Sequence, residues 1–152
     1  MAIKAFQFAG TRVNHFGSGA IGKLVQSLPA GTRRILFVTG SFERTNEEHW
    51  NRITEALAAD RISCDIAHIH HEPTVQWVDE VVARYRAPGG KPHPFDAVVA
   101  IGGGSAMDAG KAVSAMLAAE PGDTVLRYLE GQPDYRPPSG DKVFFVAVPT
   151  TS

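Results

Sequence analysis

Three consecutive glycines stand where an apolar segment of the chain meets an alanine-rich one. The stretch AIGGGSAMDAGKAV covers residues 100–113, with the glycines at 102–104. A glycine inside a regular element costs roughly 0.5–1 kcal/mol relative to alanine, so three in a row need a structural reason. They either form a tight turn and nothing more, or they leave bare backbone against which a ligand can lie. Local chemistry alone leaves both interpretations open.

Hydrophobic periodicity on either side of the glycines predicts alternating strands and helices. Short apolar runs predict strands over 33–39, 64–69, 95–101 and 142–149. Apolar residues at helical spacing predict helices over 45–61, 74–86 and 105–119, with Thr74 as an N-cap. The opening stretch 3–17 suggests two further short strands that could form a hairpin. This alternation indicates an α/β fold with a mostly parallel, Rossmann-like sheet flanked by helices.

Length and charge limit the classes of protein to which the chain can belong. Its 152 residues, 43% of them hydrophobic, suffice for one domain with a proper core. Fifteen basic and sixteen acidic residues give a net charge of -1, so no basic surface points to nucleic acid or membrane as a partner. Cys64 is the single cysteine, which excludes an intrachain disulfide. With no signal-peptide pattern at the start, we expect a cytoplasmic protein.

The glycine turn has the composition of an anion site. It follows a predicted strand and precedes a predicted helix, for which Ser105 is the expected N-cap and Asp108 the partner in a capping box. Backbone N–H groups at the start of such a helix bind phosphate well. The spacing is neither the dinucleotide fingerprint nor a Walker A loop. The residues alone therefore indicate an anion site whose ligand is unidentified.

Two ordered motifs give the chain a resemblance to a known family. GGGSAMDAGKAV at 102–113, followed by VAVPTTS at 146–152, resembles the iron-containing alcohol dehydrogenase family, whose fold is shared with dehydroquinate synthase and glycerol dehydrogenase. FGSGAIGKL at 16–24 and EPT at 72–74 are similar to further family elements. The residues that match the two main motifs are Gly102, Gly103, Gly104, Ser105, Asp108, Lys111, Pro149, Thr150 and Thr151.

The resemblance implies a domain and its partners. Residues 1–152 would form the dinucleotide-binding domain and would stop inside the second motif, without the family's all-helical, metal-binding C-terminal domain. The divalent metal of the complete enzyme, iron or zinc, would then have no ligand here, and the chain alone would be inactive. A homo-oligomer is expected. His68 and His70 alternate on a strand and could chelate weakly, but a solvated strand end is preferred. The other isolated histidines are expected at the surface.

The same resemblance assigns cofactor contacts. Gly103, Gly104 and Ser105 would hold the pyrophosphate, and Gly102 is counted among the cofactor-binding residues. Asp108 would accept a hydrogen bond from the nicotinamide carboxamide. Thr150 and Thr151 would contact phosphates and the nicotinamide ribose. Lys111 is expected to be structural or solvated. The alternatives are a plain helix cap for Asp108 and an ordinary turn for the threonines.

The residues after the first predicted strand bear on the choice of cofactor. Many NAD-preferring members of the family place an aspartate there to bind the adenosine ribose, whereas this chain has Gly40 and Ser41. A glycine removes the repulsion of a 2′-phosphate, and a hydroxyl can donate to it. This favours NADP or dual use. The alternative is that Gly40 and Ser41 only cap a loop and that Glu43 supplies the carboxylate.

The function implied is that of the NAD(P)-binding domain of a metal-dependent alcohol dehydrogenase or aldehyde reductase. Hydride would pass between the cofactor and a small alcohol or its carbonyl product. Two alternatives stay open. One keeps the fold with another reaction, as in glycerol dehydrogenase, maleylacetate reductase or a dehydroquinate-synthase-like enzyme. The other is a stand-alone nucleotide-binding module without catalysis.

Overall fold

Strands and helices alternate along the chain much as the periodicity predicts. The computed structural model describes residue 11, residues 13–86 and residues 93–150. Within them, the strands are β1 (Arg34–Thr39), β2 (Ser63–His68), β3 (Ala97–Gly102) and β4 (Phe144–Pro149). The α-helices are α1 (Phe42–Thr45), α2 (Glu47–Ala59), α3 (Val75–Tyr85) and α4 (Gly104–Ala118), and short 3-10 segments span Ala20–Lys23, Val25–Ser27 and Val125–Tyr128.

The strands form one parallel sheet in the order β2-β1-β3-β4. The register places Ile35 opposite both Cys64 and Ala97, and Gly102 opposite Pro149. Strands β1 and β3 occupy the centre, where five of the six residues of each are buried. The α/β fold with a mostly parallel sheet is therefore confirmed.

Helices cover both faces of the sheet because the two central strands are apolar on both sides. Leu36 and Val38 point to one face, where the buried residues of α3 and α4 pack against them. Ile35 and Phe37 point to the other face, where α2 and the first 3-10 segments pack. The result is a three-layer arrangement of helix, sheet and helix, which explains why the strands read as continuous hydrophobic runs.

A glycine allows α4 to approach the sheet closely. An ideal Cβ built on Gly110 would lie 2.7 Å from the Cβ of Ala100 and 3.0 Å from a ring carbon of Phe145. Any side chain at this position would push the helix away from β3 and β4. Gly110 therefore determines how closely α4 packs against the sheet, and with it the position of the start of that helix.

Most predicted boundaries hold within two residues, and one prediction needs correction. The helix expected over 45–61 is α2, and the short helix α1 before it was not predicted; Asn46 (φ -137°, ψ 49°) leaves helical geometry between the two. The predicted cap of α3 is confirmed: the Thr74 side chain accepts a hydrogen bond from the Trp77 amide. Residue 11 and residues 13–17 form no strand, and the rest of the predicted hairpin lies outside the described residues. Of the helices described, none is long and apolar enough to cross a bilayer.

Candidate functional site

An open cleft lies at the carboxyl ends of the two central strands. Strand β1 is followed along the chain by β2 on one side, whereas β3 lies on its other side. The connections that leave the carboxyl ends of β1 and β3 therefore diverge toward opposite edges of the sheet. In open parallel sheets, ligands bind in the crevice at such a reversal of strand order. The topology thus selects the gap between the ends of β1 and β3 as the candidate site.

The cleft has a volume of about 310 Å³ and draws its walls from all four strand ends. Residues 39–42 and 101–106 form the two main walls. Thr45 and Asn46 come from the segment around α1, Ile69 and His70 follow β2, and Thr150 follows β4. Nine of the fifteen lining residues are glycine, serine or threonine, so the lining offers exposed main chain and hydroxyl groups to a polar ligand.

The structure brings together seven of the nine residues predicted to bind a cofactor. Gly40 and Ser41 lie on one wall, residues 102–105 on the other, and Thr150 at the end of β4. Asp108 does not line the cleft; its side chain is 68% exposed, and its carboxylate lies 3.4 Å from the Lys111 ammonium. Thr151 lies outside the described residues. The geometry fits a binding site, and the contacts with a cofactor stay predictions.

The start of α4 differs from the prediction. Gly103 is the N-cap, with no side-chain hydrogen bond, and its carbonyl oxygen accepts from the Met107 amide at 3.0 Å. The expected N-cap at Ser105 and its capping box with Asp108 are therefore wrong. The helix begins inside the glycine run because an N-cap residue needs only a backbone carbonyl group that accepts the first hydrogen bond of the helix. Consequently the first N–H groups of α4, at residues 104–106, are left without an intrahelical partner at the cleft.

The fold places different demands on the glycines at 102 and 104. Gly102 has φ +147°, which L side chains rarely adopt, and an added Cβ would lie 3.0 Å from the Ala106 Cβ. At Gly104 an added Cβ would meet nothing within 4 Å. The fold therefore requires glycine at 102 but leaves room for a side chain at 104. The missing side chain at 104 keeps the helix start open toward the cleft.

The wall that contains Gly40 carries no carboxylate. Glu43 lies only three positions after Gly40, but it is not among the described residues that line the cleft. Its Oε1 atom lies 3.6 Å from Nδ1 of His68 and 3.8 Å from Nε of Arg44. Glu43 is thus turned toward the end of β2.

Sequence reasoning missed several lining residues. Ile69 and His70 enter the cleft because β2 lies beside β1, which the order of elements along the chain does not reveal. Thr45 and Asn46 line it because the chain breaks between α1 and α2. The preference of asparagine for non-helical backbone was the available signal for that break.

The described histidines are not arranged as the ligands of a metal ion would be. The rings of His68 and His70 stack with centroids 6.0 Å apart. Within the described ranges, no three or more His, Cys, Asp or Glu side chains are grouped so that they could hold a metal ion. His15 and His49 are exposed, as expected, whereas His93 is half-buried, and that burial lowers its pKa. His93 stands apart from the cleft.

Comparison with curated proteins points to alcohol dehydrogenases. A long-chain primary alcohol dehydrogenase, AdhA, from Thermoanaerobacter ethanolicus is 29% identical over 119 residues. The match covers 75% of this chain and 29% of that protein. The chain therefore spans less than a third of the length of this relative.

Solved structures share the fold. An NADH-dependent butanol dehydrogenase A from Thermotoga maritima superposes with a TM-score of 0.76 at 24% identity, covering 98% of this chain and 35% of that one. An iron-containing alcohol dehydrogenase from the same organism gives a TM-score of 0.62 at 29% identity, and the match covers 86% of this chain and 33% of that one. Residues 11–152 match the sequence profile described as iron-containing alcohol dehydrogenase. This chain thus belongs to the iron-containing alcohol dehydrogenase family.

Proposed function

We propose that this chain is the nicotinamide-dinucleotide-binding part of an alcohol dehydrogenase. The observation that carries the proposal is the cleft at the reversal of strand order, which collects Gly40, Ser41, Thr150 and residues 102–105. Motifs distant in sequence converge there without forming a packed core. A bound ligand is a better reason for that convergence than a turn alone.

The start of α4 is proposed to hold the pyrophosphate. The N–H groups of residues 104–106 lie at the positive end of the α4 dipole, and the bare backbone of Gly104 allows close approach. The Ser105 hydroxyl adds a donor in the same wall. Thr150 and the neighbouring Thr151 are proposed to contact the ribose and phosphates, and Asp108 the nicotinamide carboxamide. When bound, the dinucleotide supplies the hydride chemistry, and these residues only orient it.

We infer that NADP binds at least as well as NAD. Gly40 and Ser41 stand where a carboxylate would repel a 2′-phosphate, and Glu43 faces His68 instead of the cleft. The similar butanol dehydrogenase is described as NADH-dependent. A protein of the same fold can therefore use the other cofactor, and the dissociation constants of both dinucleotides decide the preference of this chain.

The described residues do not fit the iron that the family description implies. They offer no group of three or more suitable side chains, whereas catalytic metal sites use about three protein ligands. No step proposed for this chain runs through a metal. For the whole protein we propose oxidation of an alcohol or reduction of its carbonyl product. Relatives are described as acting on long-chain primary alcohols, butanol and 1,3-propanediol.

The proposal is tested by titrating NAD and NADP into the protein in a calorimeter, with Gly104→Ala as the informative variant. A methyl group at 104 fits the fold but enters the space assigned to the pyrophosphate. We expect both dinucleotides to bind about tenfold more weakly, which corresponds to ~1.4 kcal/mol. Gly22→Ala is the matched control, since an added Cβ there also meets nothing within 4 Å and lies away from the cleft.

Two results would contradict the proposed site. Absence of any heat or saturable fluorescence change with either dinucleotide would remove the function. Binding by the parent that Gly104→Ala leaves unchanged would place the ligand elsewhere on the protein.

A further inference from the structure

His68 stands between the cleft wall and a carboxylate. Its Nδ1 atom lies 3.3 Å from the carbonyl oxygen of Gly40 and 3.6 Å from Oε1 of Glu43. A carbonyl oxygen only accepts hydrogen bonds, so the Gly40 contact requires that Nδ1 carry the hydrogen. The same N–H dipole then faces the carboxylate of Glu43. One ring nitrogen of His68 thus contacts both the carbonyl group of Gly40, in the cleft wall, and the carboxylate of Glu43.

The position of His68 is fixed by its neighbours. Its carbonyl oxygen accepts a hydrogen bond from Nε1 of Trp77 at 3.1 Å. Its ring stacks on that of His70, with only 6° between the planes, and His70 lines the cleft. The main chain of His68 is thus anchored by Trp77, and its ring, 44% exposed, lies against that of His70.

Glu43 is mostly buried, but its carboxylate makes only long polar contacts with the described residues. Its side chain is 14% exposed, and its Oε2 atom has no hydrogen-bond partner among the described residues. Its Oε1 contacts, with His68 at 3.6 Å and with Arg44 at 3.8 Å, are both longer than a hydrogen bond, and the His68 ring is the nearer of the two. The Glu43 carboxylate and the Gly40 carbonyl oxygen thus lie 3.6 Å and 3.3 Å from the same ring nitrogen of His68. A change of rotamer at Glu43 would therefore bring a negative charge to the wall formed by Gly40.

We propose that His68 is a positioning residue for nucleotide selectivity, which holds the Glu43 carboxylate away from the Gly40 wall and so keeps that wall open to a 2′-phosphate. The inference rests on the proposed binding of NAD(P) in this cleft. Glycine at 40 removes one carboxylate from the wall, and His68 prevents a second one from replacing it. Without His68, Glu43 would repel the 2′-phosphate of NADP and could accept from the ribose hydroxyls of NAD.

The experiment measures the ratio of the NAD and NADP dissociation constants for the parent protein and for variants at His68. His68→Val removes the ring while keeping a β-branched residue on the strand, and we expect it to shift the ratio about tenfold toward NAD. His68→Asn carries an amide N–H near the position of Nδ1 and is expected to keep the parental ratio within about twofold. The double variant with Glu43→Gln should return the ratio of His68→Val to the parental value.

His49→Asn on the exposed surface of α2 is the control for loss of a histidine. A purely structural role of His68 would weaken both dinucleotides alike, so only a change of ratio supports the proposal. An unchanged ratio in His68→Val, in a parent that binds both dinucleotides, would overturn this inference and leave the proposed function standing. A parent that binds neither would overturn both. If His68→Val does not fold by circular dichroism, His68→Thr gives the same comparison.

Discussion

The amide nitrogen of Thr150 donates a hydrogen bond to the carbonyl oxygen of Gly102 at 2.9 Å. The bond continues the pairing of β3 with β4 one residue beyond Pro149. It ties the glycine turn to the proline–threonine motif, which is distant in sequence. Because Gly102 then turns with φ +147°, the chain leaves the sheet at once and α4 starts beside the strand end. The two motifs therefore form one wall of the cleft through a main-chain bond.

The first prediction concerns the stability of the protein and follows from the close packing at Gly110. Gly110→Ala should lower the free energy of unfolding by about 1–3 kcal/mol, since its methyl group would overlap Ala100 and Phe145. This loss would appear although alanine in a helix is favoured over glycine by about 1 kcal/mol. Gly104→Ala, in the same helix but with open space around the added Cβ, should change stability little or raise it. Denaturant unfolding followed by circular dichroism measures both, and an equally stable Gly110→Ala would contradict the packing argument.

A buried carboxylate predicts how stability depends on pH. The Asp123 side chain is 5% exposed; it accepts hydrogen bonds from Tyr128 at 2.7 Å and Arg127 at 2.8 Å, and these lower its pKa. A lowered carboxyl pKa stabilises the fold above the unfolded pKa, and this contribution is lost as the pH falls below about 4. Asp123→Asn should cost on the order of 1 kcal/mol at neutral pH, because the bonds to the charged form are lost.

Thermal melts of the parent and of Asp123→Asn should therefore converge as the pH is lowered from 7 toward 3. Asp134 is the matched control, because it also contacts Arg127 but is 60% exposed. Asp134→Asn should cost less than half as much, as exposed ion pairs contribute about 0–1 kcal/mol. A gap for Asp123→Asn that persists undiminished at low pH would show that the ionised carboxylate is not its source.

Most of the sheet follows from sequence because the central strands are buried on both faces. Leu36 and Val38 on one face and Ile35 and Phe37 on the other leave no polar side, and such runs indicate parallel strands under two helical layers. The errors fall where backbone geometry decides. The helix start at Gly104 and the unpredicted short helix α1 depend on hydrogen bonds and dihedral angles that residue types only bias.

The cleft was predictable in part, for a different reason. Residues 102–105 and Thr150 belong to the two family motifs, so the family resemblance identified them from the sequence. His70 and the contact of His68 with Gly40 depend on β2 pairing with β1. Strand order is a tertiary property, because local periodicity is the same for any order of these strands. The residues that surround Gly40 therefore required the structure.

The last prediction concerns Gly40 itself. An added Cβ would lie 3.2 Å from the carbonyl oxygen of Ile69, whose amide is bonded to the Thr39 carbonyl at 2.9 Å. Any side chain at 40 must therefore displace backbone that is tied to β1. Gly40→Ala and Gly40→Asp should lose similar stability, and only the aspartate adds a charge. The alanine variant is thus the control that separates strain from electrostatics.

We expect Gly40→Asp to shift the preference from NADP toward NAD relative to Gly40→Ala. Two unit charges 4 Å apart interact by roughly 4 kcal/mol at an effective dielectric near 20. Salt screening lowers this value at an open cleft, but even about a third of it amounts to tenfold discrimination. Calorimetric dissociation constants for both dinucleotides in the three proteins give the ratio directly. A parent that strongly prefers NAD, together with equal ratios in the two variants, would show that the 2′-position of the cofactor does not face Gly40.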